Sequence, residues 1–310
     1  MDFFIRQLQG IIMHDALVIY HKDCLDGMAA AWAITSALNY QRETKPDCKI
    51  SKVEHLAAFY NDPVPDLTGK EVYIVDFSYP PEKLFAFSKS AKSVTIIDHH
   101  DTAIAEWDKV SETEKQAFNV TTVFDTKHSG AVLCWNHLCD EMVMPIQLLH
   151  CQDHDMWTFE MDHTKDFVTG MFSTGVIFEP YKHSSFDLLM HPSEYREICR
   201  EGKIISKERA KIIDNVIRRN VFFTDMFGYT SIPVVNICYD LASDANEKLR
   251  QLYPNAAFTL TYDDWAAEGY RKFSIRNDKN SDVDVGVLAK SVGGGGRKGT
   301  GGFTMPLPLL

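Results

Sequence analysis

The first half of the chain alternates short apolar runs with helix-patterned stretches, and this rhythm leaves few folds open. Ala16–Tyr20, Glu71–Val75 and Ser93–Ile97 read as buried strands, being short and rich in β-branched residues. Gly27–Leu38 is alanine-rich and reads as a helix. Pro80 and Pro81 open a second helix that runs to about Ser90, because proline suits a first helical turn. Val120–Phe124 predicts a fourth strand and Gly130–Glu141 a further helix. Strands separated by helices predict a parallel sheet covered on both faces. Such sheets bind ligands beyond the carboxyl ends of their strands.

The pattern changes after about residue 184. Ser193–Asn220 is strongly charged, and its apolar residues, from Lys203-Ile204-Ile205 to Val216-Ile217, recur at helical spacing, which predicts one or two connecting helices. Beyond them Pro233–Cys238, Ala256–Thr261 and Arg271–Ile275 read as strands, and Asp244–Leu252 and Asp284–Val292 as helices. A glycine cluster follows, Gly293–Gly296, then Gly299, Gly301 and Gly302. The expectation is an α/β protein: an N-terminal domain over 14–184, a helical connector over 185–225 and a smaller C-terminal α/β domain over 226–310.

Composition narrows the function. Lys and Arg number 32 against 43 Asp and Glu, a net charge of −11. So acidic a chain has no general attraction for long duplex nucleic acid, though a pocket of positive charge can still hold a small anion. Seven cysteines without a C-x-x-C pair predict reduced thiols and a cytoplasmic protein rather than a disulfide framework. No stretch approaches the ~20 apolar residues of a membrane span. Met1–Met13 holds Asp2 and a single base, Arg6, and reads as a short helix or arm rather than a secretory signal. The oligomeric state stays open, a homodimer included.

The chemistry-bearing residues gather at strand ends. His21-Lys22-Asp23-Cys24-Leu25-Asp26-Gly27 follows the first strand, Asp76 the second and Asp98-His99-His100-Asp101 the third; Asp153-His154-Asp155 lies further on. A single strand-end Asp is an ordinary turn or cap residue. Four such sites converging on one sheet edge would place imidazoles and carboxylates together, an arrangement that needs cations to neutralise it. Mixed nitrogen and oxygen donors without thiolate pairs suit Mn²⁺, or Mg²⁺, Fe²⁺ or Co²⁺ in its place.

On these residues the chain resembles the DHH phosphoesterase superfamily. Asp98-His99-His100 matches its name-giving triplet, Tyr20-His21…Asp26-Gly27 its first motif, Val75-Asp76-Phe77-Ser78 its second and Gln152-Asp153-His154-Asp155-Met156-Trp157 its fourth. Gly293 to Phe303 is similar to the glycine motif of the C-terminal substrate domain, DHHA1. The resemblance runs from about Leu17 to Phe303, and five motifs stand in the family's order. It implies a phosphohydrolase holding two divalent cations, Mn²⁺ first, with Mg²⁺ or Co²⁺ as alternatives. Asp76 is implied as the carboxylate bridging both, His21 as a ligand of the first, and Asp26, His99 and Asp153 as ligands of the second. Asp98 is implied to orient a neighbour, and His100 to face the substrate phosphate or leaving group. The chemistry implied is attack at phosphorus by a metal-activated hydroxide. The substrates implied are short oligonucleotides or linear dinucleotides cleaved to nucleoside monophosphates. The alternatives are phosphomonoesters, pyrophosphate or polyphosphate, and a non-catalytic nucleotide-binding module.

The chain departs from the family in two places. Many members carry an acid where Cys24 stands, with Asp23 as the nearest acid; Cys24 either completes the first metal shell or merely lines the site. Asp155 is an alternative to Asp153, since both flank His154. The usual histidine after the glycine run is Arg297, followed by Lys298. A run such as Gly294-Gly295-Gly296 lets backbone N–H groups approach an anion closely, so Gly294, Gly295, Gly296, Arg297 and Lys298, with Arg276, are expected to cradle a substrate phosphate. His128, in Asp125–Ala131, is a further candidate for substrate contact, with Ser129 as a helix cap. Trp157 and Phe159 are expected to pack in the core. His137, His150, His163, His183 and His191 have no motif context.

Overall fold

The computed structural model describes residues 13–139, 142–175, 191–278 and 280–307. The expected arm at the start, apart from Met13, and His183 lie outside these residues. The chain divides into two compact units, Met1–Ile204 and Ile205–Leu310.

The first unit holds β1 (His14–His21), α1 (Leu25–Thr44), β2 (Ile50–Ala58), β3 (Glu71–Val75), α2 (Pro81–Ser88), β4 (Ser93–Asp98), α3 (Asp101–Trp107), α4 (Glu112–Ala117), β5 (Val120–Phe124), α5 (Gly130–Leu138), α6 (Ile146–Asp155), α7 (Thr164–Ser173) and the start of α8 (Pro192–Asn220). All five strands pair in parallel, in the order β2-β1-β3-β4-β5. Side chains alternate across a strand, and here both sets are apolar. Ala16, Val18, Tyr20 and Val75 join the core under α1 and α5, while Leu17, Ile19, Val72 and Ile74 join Leu84 of α2 and Trp107 of α3. Burial on both faces is why these strands read as unbroken apolar runs.

β2 escapes that signal. It is the edge strand beside β1, and most of its residues are only half-buried. Lys52, Glu54 and His55 interrupt its apolar residues, as an edge strand allows.

The connecting segment is one helix of 29 residues, α8. Its interior glycine, Gly202, serves packing. A Cβ there would lie 1.8 Å from the Asp166 carbonyl oxygen of α7, and one on Gly170 would lie 2.2 Å from the Ile198 carbonyl oxygen. The two helices therefore cross backbone to backbone.

The second unit holds the rest of α8, β6 (Phe222–Met226), β7 (Tyr229–Asn236), α9 (Ala242–Leu252), β8 (Thr259–Trp265), β9 (Tyr270–Arg276), α10 (Val285–Ser291), β10 (Gly295–Arg297) and β11 (Thr300–Pro306). Its sheet runs β10-β11-β9-β8-β7-β6. Only β7 and β8 pair in parallel. Buried Asn246 ties α9 to this sheet. Its amide donates to the Ala242 carbonyl, Thr261 Oγ1 and the Ser274 carbonyl, and accepts from Thr259 Oγ1. The parallel sheet and the second α/β unit expected from the sequence are both present. No described helix is long and apolar enough to cross a membrane.

Gly202 gives a prediction with an unusual sign. Gly→Ala in an exposed helix interior stabilises by about 1 kcal/mol. Gly202→Ala should instead destabilise, by about 1–3 kcal/mol as for other overpacked sites. Urea unfolding measures it, and a stabilised variant would contradict the crossing.

Candidate metal centre

The parallel register sets the site. Tyr20 pairs with Val75 and Val75 with Ile97, so the next residues, His21, Asp76 and Asp98, share one rung at the sheet's carboxyl edge. Asp76 leaves the strand with φ 61°, a left-handed conformation that costs a non-glycine residue about 1–3 kcal/mol. Its N–H donates to the Ile97 carbonyl at 2.9 Å, and its carboxylate is 1% exposed.

The two Asp76 oxygens face different partners. Oδ2 lies 3.4 Å from His21 Nδ1, and Oδ1 lies 3.2 Å from His99 Nε2. Neither oxygen accepts a well-formed hydrogen bond. His21, Cys24 and Asp76 bring one ligand atom each within 4.8 Å of one another; Asp26, His99 and Asp155 form a second such group, and Asp76, Asp98, His99 and His100 a third. His99 Nε2 is 3.4 Å from Asp155 Oδ2. Buried carboxylate oxygens left without donors, facing imidazole nitrogens, are the donor set that divalent cations satisfy.

The helices supply the rest. Asp26 lies in the first turn of α1 and is buried. The N-terminus of α5 closes on it: Ala131 N–H donates to Asp26 Oδ1 at 3.2 Å. A Cβ on Gly130 would meet Asp76 Oδ1 at 2.9 Å and Asp26 Oδ2 at 3.0 Å, so only glycine fits beside both carboxylates. Ser129, expected as the cap of α5, makes no side-chain capping bond.

The remaining expected residues have other partners. Asp98 Oδ1 accepts from the backbone N–H groups of His99 (2.7 Å) and His100 (3.2 Å) and sits 2.7 Å from His100 Nδ1. Asp153 is occupied within its own loop, accepting from Thr158 Oγ1, Thr164 Oγ1 and the N–H groups of Glu160 and Met161. Asp155, not Asp153, stands with His99. Asp23 is exposed, with φ 55°, and Cys24 is the one of that pair inside the cluster. His128 is half-exposed and lies 2.7 Å from Asp125 Oδ2. Trp157 is 45% exposed and so does not pack in the core.

In the second unit the glycine run is partly a strand, Gly295 and Gly296 pairing with Gly302 and Gly301. Arg297 and Lys298 are exposed. Arg276 donates to the Ile275 and Gly301 carbonyls at 3.0 and 3.1 Å. Burial, the largest influence on it, and the nearby Arg297 lower its pKa, while Tyr239 acts against them.

Aromatic rings wall His21: Phe77 of the second motif, and Phe59 and Tyr60, which the sequence did not flag. Phe59, Tyr60 and Phe77 have ring centroids 5.8–6.2 Å from its own. Phe59 and Tyr60 follow β2, so missing that edge strand hid them.

Burial and neighbouring charges both act on the groups of the site. Burial acts to raise the Asp76 carboxyl, but His21 and His99 outweigh it and hold the group far below the usual carboxylate range. Burial first, then Asp76 and Asp155, push Asp26 well up. The same sources, burial foremost, push up the Cys24 thiol. Burial would lower His99, yet Asp76, with Asp155 and Asp26, lifts it to about 9. For His100, too, burial is outweighed, by Asp98 and then Asp76, and the pKa rises.

Known proteins share this architecture. Among solved structures, a pGpG-specific phosphodiesterase, PggH, from Vibrio cholerae matches with a TM-score of 0.52 at 12% identity, over 94% of each chain. The DHH domain of a member of the S1p family of ribosomal proteins matches with a TM-score of 0.57 at 15% identity, over 97% of this chain and 84% of that one. This chain has the DHH fold. RecJ from Thermus thermophilus, in complex with Mn²⁺, matches at 0.51 and 11% identity, over 98% of this chain and 52% of RecJ. Among curated proteins, an uncharacterized protein, R106, of Acanthamoeba polyphaga mimivirus is 24% identical over 304 residues, 93% of this chain. The chain spans 66% of that relative's length. No family model matches.

The raised pKa of His99 gives a pH prediction for the metal-free protein. An imidazole with an ordinary pKa of about 6.5 and a folded value of about 9 contributes its stabilisation fully below the first and loses it as pH rises through the second. Thermal melting in EDTA should therefore show Tm falling across that window, with a shallower fall in His99→Gln. Equal profiles in both would contradict the coupling.

Proposed function

We propose that the chain is a metal-dependent phosphodiesterase that holds two divalent cations, Mn²⁺ foremost, and cleaves short oligonucleotides or linear dinucleotides to nucleoside monophosphates. One observation carries this reading: the buried Asp76 carboxylate turns one oxygen toward each of two donor groups, as a bridging ligand does. His21 and Cys24 then complete one position with Asp76, and Asp26, His99 and Asp155 the other. Bound there, two cations supply the positive charge that draws in phosphoryl oxygens and acidifies water.

The chain's own groups do the rest. Asp98, fixed by two backbone N–H groups, holds His100 by Nδ1. That leaves His100 Nε2 as the atom that meets the substrate phosphate or protonates the departing oxygen. The ring wall of Phe59, Tyr60 and Phe77 limits water beside His21. In the second unit Arg297 and Lys298, with Arg276 behind them, bind a substrate phosphate, aided by the backbone of Gly294, Gly295 and Gly296. His128 is a further substrate contact. The net charge of −11 favours a short substrate over a long duplex. The dinucleotide named for the Vibrio protein and the Mn²⁺ of RecJ support the substrate class and the metal.

The reading is tested by offering the Mn²⁺-loaded protein a labelled dinucleotide, a 3′,5′-bisphosphate, pyrophosphate and polyphosphate separately. Mononucleotides should form from the first, and Asp76→Asn should reduce turnover to background while the fold melts cooperatively. Release of phosphate from only the other three would replace the diesterase reading. His100→Ala should leave the bound metal unchanged and lower kcat by about 10²–10⁴-fold; loss of a cation in that variant would make His100 a ligand instead.

A further inference from the structure

The two donor groups differ in softness. The first joins an imidazole, a thiol and a carboxylate: His21, Cys24 and Asp76. The second joins an imidazole to two carboxylates, Asp26, His99 and Asp155, with the near oxygen of Asp76 beside it. Thiolate selects zinc, iron(II) and cobalt(II) over manganese or magnesium, whereas carboxylates suit the latter pair. Three protein donors of N, S and O type with a position left open are also the pattern of reactive zinc sites.

Cys24 is placed for such a role. It occupies the N-cap of α1, a helix of 20 residues, with φ −121° and ψ 131°, and its side chain makes no capping bond. A cation deprotonates a thiol that coordinates it. Asp23, the one acid beside it, is exposed and outside the group, so no carboxylate stands in for the sulfur. The 1%-exposed Asp76 carboxylate, lacking a well-formed hydrogen bond, points into the same group.

We infer that the two cation positions are chemically unequal: the His21–Cys24–Asp76 position takes a soft, thiolate-accepting cation of the zinc, iron(II) or cobalt(II) class, and the Asp26–His99–Asp155 position a hard one such as Mn²⁺. The inference rests on the two-cation reading and refines it, giving manganese only one of the two places.

The test uses the full-length, metal-free chain. Titration with Co²⁺ should produce a near-ultraviolet thiolate-to-cobalt charge-transfer absorption, and Cys24→Ser should lose it while still melting cooperatively. Because zinc outcompetes manganese at most nitrogen and oxygen sites, dialysis against one equivalent of Zn²⁺ in a large excess of Mn²⁺, followed by elemental analysis, should leave one of each on the parent chain. Cys24→Asp should shift the zinc-bearing position to manganese. A parent chain carrying two manganese ions, an absorption that survives in Cys24→Ser, or the same metal ratio in parent and Cys24→Asp would each overturn the inference while leaving two bound cations in place. A chain that binds no divalent cation would instead overturn the two-cation reading on which it rests.

Discussion

The site depends on one buried carboxylate. Asp76 sits at the end of β3 in a left-handed conformation, almost wholly out of water, between two imidazoles. Backbone strain of about 1–3 kcal/mol and the desolvation of a charge are both unfavourable, and hydrophobic packing around β3 must offset them. The strand is held on both sides by parallel neighbours and covered on both faces, so it cannot relax. The rigid sheet fixes a group that a flexible loop would turn back to solvent.

Everything around Asp76 is arranged to let like charges approach. Gly130 leaves room for two carboxylates where any Cβ would collide, and the first turn of α5 gives Asp26 a backbone donor. His99 lies between Asp76 and Asp155 as the compensating charge. A protonated His99 cannot also be a ligand, so a cation arriving there displaces a proton.

Neighbouring acids in one motif have opposite duties. Asp153 organises the loop after α6 through four hydrogen bonds, and Asp155, half a turn further on, reaches His99. Asp98 likewise spends one oxygen on the backbone and His100. The glycine run shows a similar division, since Gly295 and Gly296 form a strand edge that presents Arg297.

The parallel sheet was legible in the amino-acid order alone, because strands buried on both faces are apolar on both, as Ala16–Tyr20 and Val72–Val75 are. So was the placing of His21, Asp76 and Asp98 on one edge, because in a parallel sheet every strand ends on the same side. β2 was not legible, since its polar edge residues mimic a loop, and Tyr60 was missed with it. Nor could Gly202 be read as a helix crossing, since local propensity treats glycine as a breaker. The choices between Asp153 and Asp155 and between Asp23 and Cys24 belonged to the folded chain. Residues one or two apart in sequence share a motif but point in different directions, and only the folded backbone says which side chain faces the cluster.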